Sequence, residues 1–302
     1  MDNVRGPATL LEKPLVLGFP DYSEQARRLA AAAGLPYREV EIHRFPDGES
    51  RVRLPPRLPP RVVLCRSLQR PNDKLIELAL AARTARGLGA GHLTLIAPYL
   101  CYMRQDRAFH PGEAVSQRIV GGLLADWLDA LITVDPHLHR ISSLGEAVPV
   151  SRALSLSAAP LMGRFLRQVV DDPLLIGPDA ESRQWVAAIA RQEGLDYLIG
   201  EKRRLGDREV RIGFDGDRGT GRQMVLIDDV ASTGRTLETA VAALRPLRPA
   251  SVDVLVSHAL FLEGTLDRLR AAGVGRVWST DSIPHATNRL ELATLLAGAL
   301  DT

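Results

Sequence analysis

One stretch constrains the fold of this chain more than any other: residues 223–240, reading QMVLIDDVASTGRTLETA. The apolar run 224–227 is short enough for a strand buried on both faces. Asp228 and Asp229 follow, then a polar turn of Ser232, Thr233, Gly234, Arg235 and Thr236. Beyond the turn, Leu237, Ala240, Ala243 and Leu244 recur at helical spacing. Strand, loop and helix in that order put the loop at the carboxyl end of the strand, where open parallel sheets bind ligands.

The loop's chemistry is readable from its residue types. Backbone N–H groups around a glycine, with Ser and Thr hydroxyls at a helix start, form a cradle for phosphate. Two adjacent carboxylates repel the same anion. They suit two vicinal hydroxyls, or Mg²⁺. A phosphate beside a diol describes ribose 5-phosphate, whereas the bland alternative is an acid pair at a strand end followed by a capped helix. The segment resembles the ribose-phosphate loop of the type I phosphoribosyltransferase superfamily, whose pattern is an apolar run, Asp-Asp, two residues, a small residue and Thr-Gly-x-Thr.

The remainder alternates strand and helix patterns. The pattern predicts an α/β protein of two similar phosphoribosyltransferase-like domains, each a mostly parallel sheet flanked by helices. The expected division is 1–150 and 151–302, with ligands between the domains and the last helix packing on the N-terminal domain. Asp21 and Glu24 have capping-box spacing before an Ala-rich helix. Residues 37–43 read as one strand, and Pro46-Asp47-Gly48 as the turn of a hairpin. Asn72 or Asp73 is expected to cap one helix, and Ser116 another whose Ile119, Leu123 and Trp127 share a face. Residues 206–221 read as a loop or hairpin, and 289–300 as a final amphipathic helix.

At 302 residues the chain has room for two domains, and its net charge of +2 argues against a general nucleic-acid binder. No apolar run reaches the length of a membrane span, and the first residues lack a signal-peptide core. A cytoplasmic protein is expected, with Cys65 and Cys101 as buried free thiols.

Several predicted loops at strand ends carry charge or hydrogen-bonding groups: Asp47 and Glu49; Arg104, Gln105 and Arg107; His137; Asp179; and Lys202 with Arg204. Each alone has a mundane account as a solvated face, an ion pair or a structural histidine. Beside a ribose-phosphate cradle, they suggest a second, highly charged phosphate compound. From about residue 15 to 300 the chain resembles the ribose-phosphate pyrophosphokinase family. FPDGE at 45–49, the tyrosine-rich segment 98–113 with RQDR, TVDPH at 133–137, GPD at 177–179 and EKRR at 201–204 occur in the family's order.

The resemblance implies transfer of the β,γ-diphosphoryl group of Mg-ATP to the C1 hydroxyl of ribose 5-phosphate. It implies that Phe45, Asp47 and Glu49 form an adenine-binding turn given by a neighbouring subunit, and that Arg104 and Gln105 contact ATP. His137 and Asp179 would hold Mg²⁺-ATP, and Lys202 and Arg204, with His137, would serve the reacting phosphates. Asp228 and Asp229 would hold the ribose hydroxyls, and Ser232, Thr233, Gly234, Arg235 and Thr236 the 5-phosphate. A homo-oligomer of dimers building to hexamers is implied as well. One departure stands out: Ala180-Glu181-Ser182-Arg183 replaces the Gly pair usual after the Pro-Asp turn. A phosphoribosyltransferase, or a catalytically weak regulatory subunit of a synthetase, are the competing functions.

Overall fold

Apolar runs of four residues, such as 15–18, 62–65 and 174–177, leave no polar face for water, so they belong inside parallel sheets covered on both sides. The computed structural model describes residues 13–138, 140–204, 210–214 and 219–300. Two compact units emerge, one of residues 1–155 with 293–302, the other of residues 156–292.

In the N-terminal unit the chain runs through β1 (Leu15–Gly18), α1 (Ser23–Ala33), β2 (Tyr37–Glu39), β3 (Glu41–Arg44), β4 (Ser50–Arg53) and β5 (Arg61–Cys65). It continues through α2 (Pro71–Gly87), β6 (His92–Ala97), α3 (Ser116–Ala125), β7 (Ala130–Val134), α4 (Leu144–Ala147) and β8 (Arg152–Leu156). Six strands form one sheet in the order β2-β1-β5-β6-β7-β8, while β3 and β4 pair separately as an antiparallel hairpin. The neighbours from β2 to β7 are parallel. Right-handed crossovers therefore put α1 on one face and α2 and α3 on the other.

The C-terminal unit repeats the plan with α5 (Ala159–Val169), β9 (Leu174–Gly177), α6 (Arg183–Glu193), β10 (Tyr197–Ile199), β11 (Glu201–Arg204), β12 (Val210–Gly213) and β13 (Gln223–Ala231). Next come α7 (Arg235–Leu244), β14 (Ser251–Ala259), α8 (Thr265–Ala272), β15 (Val274–Thr280) and β16 (Asn288–Leu290). Its sheet order is β10-β9-β13-β14-β15-β16, with every neighbour parallel. The last helix, α9 (Ala293–Ala297), belongs to the N-terminal unit and packs on α1.

Local expectations fail where tertiary contacts outcompete local chemistry. Residues 37–43 split into β2 and β3 at Val40, which is fully buried and donates its N–H to Gly18. Asp21 caps nothing: its carboxylate takes Arg66 at 2.9 Å and Lys74 at 2.6 Å. Neither Asn72 nor Asp73 caps α2, whose N-cap is Arg70 with φ of 50°. Ser116 lies inside α3 and its hydroxyl goes to Gln105. Ile119 and Leu123 share the exposed face of that helix, while Val120, Gly121 and Leu124 are buried. Gly121 is required there, since a Cβ would stand 1.7 Å from the Ala147 carbonyl oxygen. The final helix is a single short turn-and-a-half, preceded by β16.

Candidate active site

In a doubly wound sheet, two strands whose connections leave in opposite directions open a crevice at their carboxyl ends. In the C-terminal unit that point lies between β9 and β13. The end of β9 delivers Gly177-Pro178-Asp179, and the end of β13 delivers Asp228, Asp229 and the Ser-Thr-Gly loop. So the fold brings Asp179, the acid pair and the loop to one crevice.

The acids are close enough to feel one another. Asp229 is buried and Asp228 half-buried. Burial, then repulsion from Asp229 and from Asp179, pushes the Asp228 carboxyl well above the ordinary carboxylate range. Each carboxylate also holds local backbone: Asp228 Oδ1 accepts the Asp229 N–H at 3.0 Å, and Asp229 Oδ1 the Val230 N–H at 2.8 Å. Such a crevice is set to receive hydroxyl donors or a cation.

The loop beyond them is shaped by Gly234, which has φ of 76° and immediately precedes α7. A side chain there would be strained by the backbone and blocked by Thr265 Cγ2 at 2.7 Å. Ser232 and Thr236 are half-buried, Thr233 and Arg235 exposed. The N–H groups of Thr233 and Gly234 donate to no acceptor among the described residues. They are free donors at the start of a helix, the arrangement that binds phosphate.

The unusual turn after Asp179 is explained by Ser182. Its hydroxyl is fully buried and donates to the Asp179 carbonyl at 2.7 Å, while Asp179 Oδ1 accepts the N–H groups of Glu181 at 3.1 Å and Ser182 at 3.4 Å. Gly177 makes room for this, because a Cβ there would lie 2.6 Å from Ser182 Oγ. Glu181 is exposed. Lys202 and Arg204, expected in a loop, instead have their backbone in β11, paired with β12 through Lys202–Ile212 and Arg204–Val210. Residues 206–209 and 215–218 of the expected loop or hairpin lie outside the described residues.

In the N-terminal unit, Phe45, Asp47 and Glu49 occupy the exposed turn between β3 and β4. Phe45 donates its N–H to the Glu49 carbonyl at 2.8 Å, and its ring packs edge-on against His43. Arg104 is exposed after β6, and Gln105 is held by the Ser116 hydroxyl at 2.9 Å. Arg107 stacks over Phe109. His137 is half-buried just past β7, two residues after Asp135, whose φ of 38° is the kind of backbone strain that collects at functional loops.

The residues fit Mg²⁺ of the kind carried by a nucleotide. Among the described residues no three His, Cys, Asp or Glu side chains form a ready-made metal site. Mg²⁺ needs none, since one or two carboxylates, phosphate oxygens and waters complete its shell. Sequence reasoning missed Ser182, Thr265 and Arg268, together with Glu77 below the hairpin. Their partners are 3, 33, 35 and 33 residues distant or within a turn whose geometry the sequence does not announce.

Two doubly wound units, one with an acid pair and a phosphate-ready loop at its switch point, define a pair of phosphoribosyltransferase-type domains. The N-terminal domain of ribose phosphate pyrophosphokinase matches residues 16–127, and the phosphoribosyl transferase domain matches residues 157–271. The chain belongs to the ribose-phosphate pyrophosphokinase family. It is 36% identical over 291 residues to the ribose-phosphate pyrophosphokinase of Methanopyrus kandleri, covering 95% of this chain and 98% of that one. To ribose-phosphate pyrophosphokinase 2 of Archaeoglobus fulgidus it is 33% identical over 282 residues, covering 93% and 98%. The crystal structure of phosphoribosylpyrophosphate synthetase from Mycobacterium smegmatis has the same fold, with a TM-score of 0.81 at 23% identity over 95% of this chain and 97% of that one.

Among the described residues no helix is long and apolar enough to cross a membrane. Cys65 and Cys101 are buried and form no disulfide, and burial pushes the Cys101 thiol up to about 12.

Proposed function

We propose that this protein is a ribose-phosphate diphosphokinase, transferring the β,γ-diphosphoryl group of ATP to ribose 5-phosphate. The C1 hydroxyl oxygen attacks the β-phosphorus, and the bond from that phosphorus to the oxygen bridging the α-phosphorus breaks. AMP leaves with the bridging oxygen, the hydroxyl proton is released, and phosphoribosyl diphosphate remains. The observation that carries this reading is the β9–β13 crevice, where carboxylates suited to a diol adjoin free N–H donors suited to a phosphate.

In this reading Asp228 and Asp229 accept the ribose hydroxyls, while the 5-phosphate sits on residues 232–236. Phe45, Asp47 and Glu49 bind the adenine from a neighbouring subunit, and Arg104 and Gln105 contact ATP. Lys202 and Arg204 cancel charge on the transferring phosphates, the main work a protein does in phosphoryl transfer. Mg²⁺, held by His137 and Asp179 with the phosphates, would supply further charge neutralisation. The enzyme so read serves nucleotide biosynthesis in the cytoplasm as a homo-oligomer, with dimers building to hexamers.

Product analysis tests it. Purified protein given Mg-ATP and ribose 5-phosphate should form AMP in step with a diphosphorylated sugar. Formation of ADP, or of no product, would overturn the assignment.

A further inference from the structure

The ribose-phosphate loop is backed by α8, and the contacts between them are specific. Ser232 O accepts the Leu262 N–H at 3.2 Å and the Thr265 hydroxyl at 3.3 Å. Thr233 O accepts Arg268 Nη2 at 2.7 Å. Gly234 O accepts the Glu238 N–H at 2.8 Å within the first turn of α7. All three loop carbonyls are therefore engaged.

A trans peptide points the C=O of one residue and the N–H of the next in opposite directions. Tying Ser232 O and Thr233 O to α8 turns the N–H groups of Thr233 and Gly234 the other way. Neither of those N–H groups has an acceptor among the described residues. Arg268 is itself held in place: Nε bonds Glu238 at 3.0 Å and Nη2 also bonds Thr265 Oγ1 at 3.2 Å. Thr265 is fully buried, and its methyl group packs where a Cβ on Gly234 would stand. Arg268 remains about half exposed, so the fold does not depend on burying it.

We propose that Arg268 and Thr265 are positioning residues for the ribose 5-phosphate site: they fix the loop carbonyls on α8 so that its N–H groups face the phosphate. The proposal rests on the reading of residues 232–236 as the phosphate cradle. It distinguishes orientation from charge. A lysine at 268 keeps the positive charge but cannot span Thr233 O, Thr265 Oγ1 and Glu238 together, as the planar guanidinium fork does.

The test is titration calorimetry of ribose 5-phosphate into the full chain and its Arg268→Ala, Arg268→Lys, Thr265→Val and Thr265→Ser variants. Steady-state kinetics with Mg-ATP and thermal melting accompany it. Both Arg268 variants should raise the ribose 5-phosphate Kd and KM about tenfold, with the KM for ATP unchanged. Thr265→Val, which alters no charge, should raise them about threefold, and Thr265→Ser should restore them. Arg268→Lys matching wild type would overturn the proposal in favour of simple charge attraction. Equal loss of ATP and ribose 5-phosphate affinity, or variants that bind like wild type, would overturn it as well. A wild-type protein that binds no ribose 5-phosphate would remove the cradle itself, and the proposal with it.

Discussion

Asp228 shows what a crowded acidic crevice costs the fold. Burial and two neighbouring carboxylates raise its pKa in the folded state, so the native protein holds that proton more tightly than the unfolded chain. Below the ordinary carboxylate range both states are protonated and nothing is lost. As pH rises through that range the unfolded chain ionises freely, the native site resists, and stability falls until the raised pKa is passed. Asp228→Asn should therefore raise the melting temperature at pH 7, with the gain vanishing towards about pH 4, while turnover of ribose 5-phosphate drops. A melting series against pH checks this; an Asn variant that melts lower at pH 7 would mean that the fold already neutralises the carboxylate. Ser182 teaches a related lesson. In sequence it looks like a loss of glycine beside a diphosphate turn, whereas its buried hydroxyl holds the Asp179 carbonyl and stiffens that turn.

At the scale of elements, the strand–loop–helix of residues 223–240 and the hairpin around 45–49 were legible, because an apolar run, a glycine and a periodic helix face each depend on near neighbours. Caps were not. Asp21, Asn72 and Ser116 all have capping chemistry, and Asp21 is drawn instead to Arg66 and Lys74 across the β1–β5 crevice, a contact no local pattern encodes. The same crevice contains Glu77, fully buried on α2. One of its oxygens takes Arg66 Nη2 at 2.6 Å, and the other takes Arg44 Nε at 3.2 Å and the Ser50 hydroxyl at 2.9 Å. Arg44 and Ser50 are the register pair that closes the hairpin beneath the 45–49 turn, so a single carboxylate ties that turn to the sheet. Burial alone would raise the Glu77 carboxyl, but Arg66, Ser50 and Arg44 outweigh it and hold the group below its usual range. Glu77→Ala leaves buried Arg66 to share the single carboxylate of Asp21 with Lys74, and should cost about 3 kcal/mol at neutral pH. The depressed pKa makes that contribution present above the ordinary carboxylate range and lost as pH falls through the folded value, so chemical denaturation at pH 7 and in acid should show the difference shrinking. For β11, the reaction assigned to Lys202 predicts that Lys202→Ala lowers kcat about 10²- to 10³-fold while leaving ribose 5-phosphate affinity alone. Single-turnover kinetics would reveal unchanged chemistry if the assignment is wrong.

Over the whole molecule one sheet order is used twice, and the two crevices have been put to different ends. In the C-terminal unit the β9–β13 crevice gathers the acids Asp179, Asp228 and Asp229 beside the Thr233 and Gly234 N–H groups, which have no acceptor among the described residues. In the N-terminal unit the corresponding β1–β5 crevice is filled by the chain's own ions, Asp21, Arg66, Lys74 and Glu77. The N-terminal copy thus holds up a hairpin, where the C-terminal copy presents the crevice proposed for a sugar phosphate. If that hairpin completes the site of a neighbouring subunit, its loss and the loss of the sugar site are complementary defects. Phe45→Ala and Asp229→Asn should each abolish most activity alone. Co-expressed in equal amounts, they should recover it in part, since an intact site needs its own cradle from one variant and its neighbour's hairpin from the other. Random assortment gives each of those conditions a chance of one half, so about a quarter of the sites, and of wild-type activity, should return. A hairpin serving its own chain predicts no recovery, because every chain then carries one defect within its own site.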